Sequence, residues 1–315
     1  MRRKAVIFGI KGIQLNTQEK NLIKETKPWG IILFSRNIKN LSQLKSLTSN
    51  IRSIIKDKNY PILIDQEGGK VSRLNKIIDL SLFSQGYFGK LYETDKKVFN
   101  CYYKIYIDKV SDIMKKAGIN INTVPVLDIR RKNSHNIIGD RSFSTNHKTV
   151  TALGNLCINS YNKNKIATII KHIPGHGSSQ LDSHYSLPLI KIKKSELIKK
   201  DFLPFKLCQS FFAMTAHVIF KSYDPIHTVT HSKTVINNVI RKHIGFKGIL
   251  ISDDISMKAL THGLKTNSIK ALESGCNLIL HCNANIKEMY ELTKIIPTID
   301  KFTQKKTSDF YKFLG

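Results

Sequence analysis

Eight short apolar runs, rich in β-branched residues and separated by longer amphipathic stretches, limit the fold of this chain more than any other feature. They are Ala5–Ile10, Gly30–Phe34, Ile62–Asp65, Ile121–Leu127, Ala167–Ile170, Phe212–His217, Gly248–Ser252 and Asn277–Leu280. Several are continuously apolar, which suits strands buried on both faces. Between them the 3.6-residue period predicts helices over Leu41–Ile55, Lys96–Ala117, Lys148–Asn162, Ser195–Leu207, Val235–His243, Lys265–Leu272 and Ile286–Ile295. Such alternation predicts an α/β chain with a parallel sheet, closed as a (β/α)8 TIM barrel or left open and doubly wound.

The polar residues favour closure. Asp65, Asp128, Lys171, His172, His217 and Asp253 all sit at or just after the C-terminal ends of predicted strands. A barrel gathers those ends on one face, where the βα loops build the active site. An open sheet does not converge all of them. No Pro/Gly/Ser linker or internal repeat divides the chain, so one domain over residues 1–315 is expected, with the polar stretch Asp300–Gly315 a surface helix or a frayed tail.

With 41% hydrophobic and 23% charged residues, the composition excludes a disordered chain. The formal charge is +28, from 51 Lys and Arg against 23 Asp and Glu. A nucleic acid or an anionic lipid surface is one explanation. Only nine of those cations are Arg, and Lys is scattered along a chain also rich in Ile and Asn. Phosphate-reading surfaces cluster Arg, so coding bias accounts for the excess better. The cysteine count is odd, at five, and no CxxC pair occurs. The apolar run after Met1-Arg2-Arg3-Lys4 stops at Lys11, too soon for a secretory h-region. A cytoplasmic protein with reduced thiols is expected.

Four segments carry candidate chemistry. Lys171-His172-Ile173-Pro174-Gly175-His176-Gly177 precedes Asp182-Ser183-His184. The histidines raise the question of a metal. Pro174 and Gly175, however, keep His172 and His176 off one helix face, and no HExxH pattern is present. Asp182 and His184 are close enough to pair, and a carboxylate on one ring nitrogen fixes the tautomer and supports an imidazolium that donates and retrieves a proton near neutral pH. In Gly248–Met257 an apolar strand delivers Asp253 and Asp254; one is expected to face a pocket while Asp254 caps a helix. Asp65-Gln66-Glu67-Gly68-Gly69 turns tightly, leaving Asp65 and Arg73 for polar ligand groups. Arg141, in Ile138-Gly139-Asp140-Arg141, reads by itself as a surface ion pair.

Taken together, LIDQEGGKVSRL, IIGDRSF, KHIPGHG with DSH and LP, MTAHVIF with DP, and GILISDDISM resemble the bacterial β-N-acetylglucosaminidases of glycoside hydrolase family 3, in order from about Gly30 to Asn283. The resemblance implies a single TIM barrel and a retaining hydrolase. It makes Asp253 the nucleophile, His184 the general acid/base oriented by Asp182, and Asp65, Arg73, Arg141, Lys171 and His172 the sugar-binding residues. It further implies cell-wall (peptidoglycan) fragments bearing terminal β-linked N-acetylglucosamine as substrate, such as a disaccharide with anhydro-muramic acid, with or without peptide. Ile173, Lys70 and Asp140 stand where Phe, Arg and Glu are common. Gly175 and Gly177 suggest a mobile loop that closes over the sugar.

The alternatives kept open are a β-N-acetylglucosaminide phosphorylase of the same family, a nucleic-acid-binding barrel protein, and a metal-dependent hydrolase using His172, His176 and His184. No cofactor, metal, nucleic acid or membrane partner is expected, and the chain is expected to act as a monomer.

Overall fold

A computed structural model describes residues 2–131, 138–179 and 188–315. The eight apolar runs form the eight strands of a closed, parallel barrel. These are β1 (Lys4–Gly9), β2 (Pro28–Leu33), β3 (Ile62–Ile64), β4 (Ile121–Asn122), β5 (Ala167–Ile173), β6 (Phe212–Thr215), β7 (Ile249–Asp254) and β8 (Leu278–His281). Each pairs with its neighbours in chain order, and β8 closes on β1 with Val6 opposite Ile279. The strands are covered by side chains of the barrel interior within and by helices without, so β2 and β5 are buried along their whole length. The open sheet is thereby excluded.

The fourth strand is shorter than its apolar run because Pro125 supplies no N–H to the ladder. The chain nonetheless follows β5: the Lys171 N–H donates to the Pro125 carbonyl at 3.1 Å and the Leu127 N–H to the Lys171 carbonyl at 2.8 Å. That pairing carries Asp128 to the C-terminal end of the barrel strands.

Helices Leu41–Ile55 and Ile286–Ile295 have the predicted bounds, started by Asn40 and Asn285 side chains that accept backbone N–H groups. Two others, Thr17–Thr26 and Gln85–Thr94, were not anticipated. The predicted Ser195–Leu207 helix is two, Lys194–Lys199 and Leu203–Leu207, because Pro204 fits only in the first turn of a new helix. Val235–His243 winds as a π-helix. Leu189–Ile190 and Ile219–Phe220 pair as a small parallel sheet outside the barrel.

Residues at the N-terminal strand ends meet the last helix, Lys301–Leu314. Phe310 is fully buried there, edge-on to Phe212 at 5.4 Å between ring centres. Trp29 donates its indole N–H to Thr307 at 2.9 Å. Arg3 stacks on the rings of Tyr60 and Tyr311 and bonds to Asp57, which also accepts from the Tyr311 hydroxyl at 2.8 Å. Among the described residues, no helix is long and apolar enough to cross a membrane.

Candidate active site

At the opposite end, where the strands finish, lies a pocket of about 190 Å³ lined by Asp65, Arg73, Arg141, Lys171, His172 and Asp253, with Phe34, Met214, Met257 and Cys282 among its apolar walls. It is smaller than the clefts of about 300 Å³ and upward that hold drug-sized ligands, and suits one sugar ring. Four of the six polar residues at predicted strand ends reach it. The other two, Asp128 and His217, stand behind the wall and hold what does.

Asp65 leaves the end of β3 and enters a turn closed by Gln66, whose side-chain carbonyl accepts the N–H groups of Arg73 and Leu74 at 2.7 and 3.0 Å. This returns Arg73 to Asp65, to which it donates at 2.8 Å. The other Asp65 oxygen accepts from Lys171 and Thr123, both at 2.6 Å. Burial pushes the Asp65 carboxyl up, but Lys171 and Arg73 overcome it and hold it far below the ordinary carboxylate range.

Lys171 and His172 are consecutive, yet both face the pocket. The register of β5 against β6 shifts between Lys171 and Ile173, and such an irregularity re-aims a side chain that regular alternation would send outward. His172 donates its Nδ1–H to the Asp128 carboxylate at 2.7 Å, and its Nε2 lies 4.0 Å from an Asp253 oxygen. Asp128, fully buried, also accepts the backbone N–H of His176 at 2.6 Å. Burial raises the Asp128 carboxyl; His172 and His176 bring it below its usual value. The His176 imidazole is lowered too, to about 4, by burial and by His172.

Asp253 ends β7. Burial pushes its carboxyl up, but His172, His217 and the Asp254 N–H outweigh it, leaving it lowered and ionised at neutral pH. His217 bonds to Thr230 through Nδ1 at 2.7 Å and to the Asp254 carbonyl through Nε2 at 3.0 Å, fixing its ring against the strand end. Asp254 also reaches the pocket wall, contrary to the expectation that only one of the pair would. Nor does it cap a helix, since the next one begins at Leu264. Its oxygen instead accepts from Ser256 and from the Cys282 N–H, tying β7 to β8.

Arg141 is no surface ion pair. Its Nε and Nη2 donate to the two oxygens of Glu67, each at 2.8 Å, and Glu67 is 1% exposed. Burial lowers the guanidinium pKa, but Glu67 raises it further. Glu67 and Asp128 are the functional residues that sequence reasoning missed as partners; their mates lie 74 and 44 positions away. Two of the departures from the family pattern, Lys70 and Asp140, face each other at 3.5 Å.

Asp182 and His184 lie outside the described residues, as does the loop segment expected to close. Of the glycines invoked for that loop, Gly177 has a steric reason: a Cβ there would stand 1.9 Å from the Ile129 carbonyl oxygen. It lets the chain pass close to the segment after β4.

The profile of the glycosyl hydrolase family 3 N-terminal domain matches residues 3–309. The chain belongs to glycoside hydrolase family 3. A β-hexosaminidase of Alkalilimnicola ehrlichii is 32% identical over 285 residues, spanning 88% of this chain and 80% of that one. NagZ of Neisseria gonorrhoeae, solved with N-trifluoroacetyl-D-glucosamine, superposes with a TM-score of 0.87 at 27% identity, over 100% of this chain and 90% of that one. A family 3 β-N-acetylglucosaminidase of a Paenibacillus species gives 0.85 at 26% identity, over 98% and 60%. This family 3 chain is a glycosidase of the β-hexosaminidase group.

Proposed function

We propose that this family 3 enzyme is one catalytic domain that releases terminal β-linked N-acetylglucosamine from cell-wall fragments by a retaining, two-step mechanism. The observation that carries the reading is the placement of Asp253 at the end of β7, lining one pocket with Asp65, Arg73, Arg141, Lys171 and His172; against the upward push of burial, His172 and His217 lower its carboxyl, as a nucleophile requires.

In the first step the Asp253 carboxylate attacks the anomeric carbon. The bond to the leaving oxygen breaks, and that oxygen takes a proton from His184, oriented by Asp182. In the second, neutral His184 removes a proton from water, whose oxygen displaces Asp253 and returns it as a carboxylate. Retaining glycosidases usually use two carboxyl groups about 5–5.5 Å apart; here an imidazole replaces the second. Acid–base help of this kind contributes on the order of 10²–10⁴-fold. Asp65 accepts sugar hydroxyl protons while Arg73, Arg141, Lys171 and His172 donate. The fragments are anionic, so a basic rim assists them. Five free thiols favour a reducing compartment, and with it recycling in the cytoplasm.

The test is turnover of a chromogenic N-acetyl-β-glucosaminide. His184→Ala loses less on substrates whose leaving group needs no proton than on cell-wall fragments; equal losses on both reject the acid role. Running the reaction in phosphate separates hydrolysis from phosphorolysis: free sugar is expected, and sugar 1-phosphate as the main product overturns the hydrolytic reading.

A further inference from the structure

The pocket wall is a row of alternating charge. Arg73 bonds to Asp65, Asp65 to Lys171, Lys171 to Glu67 and Glu67 to Arg141. Four of the five line the cavity, while Glu67 stands behind it. We infer that Glu67 is a positioning residue: it aims the Lys171 ammonium and the Arg141 guanidinium at the hydroxyls of the amino sugar without touching the sugar. The inference rests on the pocket being the sugar site proposed above.

Three observations support it. The two parallel bonds from Glu67 to Nε and Nη2 of Arg141 fix the guanidinium plane and turn its Nη1 edge away from the carboxylate. Lys171 has three N–H groups, of which two donate, to Asp65 at 2.6 Å and to Thr123 at 3.1 Å, while the ammonium pairs with the Glu67 carboxylate at 2.5 Å. Without Glu67 the only carboxylate left beside the ammonium is Asp65, the one that must accept from the sugar. Finally, the far side of Glu67 is mostly aromatic. Phe88, Tyr103 and Tyr106 lie behind it, and the Tyr106 hydroxyl donates to its carbonyl at 3.3 Å. Burial raises its carboxyl, but Arg141 and Lys171 lower it below its usual value, so it remains a charge between two cations. The Arg141 carbonyl is held separately by Gln85 at 2.6 Å, so loss of Glu67 frees the guanidinium rather than the loop.

The experiment compares wild type, Glu67→Gln and Glu67→Asp on a chromogenic N-acetyl-β-glucosaminide, with inhibition by free N-acetylglucosamine measured in parallel. In Glu67→Gln, KM rises at least about tenfold, the inhibition constant rises in proportion, and kcat changes by less than about threefold. Glu67→Asp keeps the charge on a shorter stem and falls between. A merely structural role lowers the melting temperature and the fraction of active enzyme but leaves KM and the inhibition constant alone. Combined with Arg141→Met, Glu67→Gln costs less than it does alone, because the two act through one contact. Folded Glu67→Gln with both constants within about twofold of wild type overturns the inference. If that variant does not fold, the same result in Glu67→Asp does so. A wild type inert on every N-acetyl-β-glucosaminide overturns the sugar-site reading instead.

Discussion

The two ends of this barrel are built from opposite materials. At the N-terminal end, Phe212, Phe310 and Trp29 pack under the last helix, and the charged cluster there consists of Arg3 and Asp57 framed by tyrosine rings. At the C-terminal end, five charged side chains alternate in a row, four on the pocket wall and Glu67 behind it, with Lys171 and Glu67 nearly inaccessible. Apolar burial adds stability in rough proportion to area. Charges held out of water cost free energy unless every partner is in place. The sealed end therefore stabilises the fold, and the charged end keeps groups poised for a ligand at the expense of that stability.

Several measurements would break or sharpen this contrast. The largest effect belongs to the charged end: Asp253→Ala should lower kcat/KM by about 10³-fold or more, with a melting temperature within a few degrees of wild type. A comparable loss of both would make Asp253 a structural residue. The reverse is expected of Phe310→Ala, which should lose about 3–5 kcal/mol of stability and keep the KM of the molecules that stay folded. A changed KM would show that the two ends are coupled.

Acid should act first at the catalytic half. His176 has an ordinary value of 6.5, lowered to about 4 in the fold. Between those values the unfolded chain binds a proton that the folded one does not. Stability must then fall as pH drops from 6.5 towards 4, by on the order of 3 kcal/mol from this group. His231, which follows β6, is lowered to about 4 as well and adds to the slope. Below that range the depressed carboxyls Asp65, Glu67, Asp128 and Asp253 extend the loss, since their contribution is present only while they are ionised. A melting temperature flat between pH 6.5 and 4 would mean that His176 and His231 are not held neutral by burial. The smallest effect is Thr307→Val, which removes the acceptor of the Trp29 indole; a shift of about 1 kcal/mol in the urea midpoint is expected.

The strands were legible because short, mostly apolar runs of four to seven residues leave little choice but burial on both sides. The amphipathic period made Leu41–Ile55 and Ile286–Ile295 equally plain. Gln85–Thr94 was not anticipated, and its Gly86 and Gly89 are poor helix formers. They are there because the helix lies against the Asp140–Phe143 segment: a Cβ at Gly89 would sit 1.7 Å from the Phe143 carbonyl oxygen. Thr17–Thr26 carries a capping box from Asn16 and Glu19 that could have been found. In the pocket, Asp65, Lys171, His172 and Asp253 declared themselves as polar residues ending apolar strands. Asp128 did so as well, but neither its role nor that of Glu67 was legible, because each depends on a partner far along the chain. No local pattern records that the carboxylate two residues past Asp65 will meet Arg141.

Trp29 is the chain's single tryptophan, and it lies at the sealed end, across the barrel from the pocket. Its emission should consequently follow the release of the last helix and the loss of the fold while staying silent when a sugar enters. Any optical assay of ligand binding will need a second chromophore installed near Phe34 or Met257, and the native indole then serves as its internal reference.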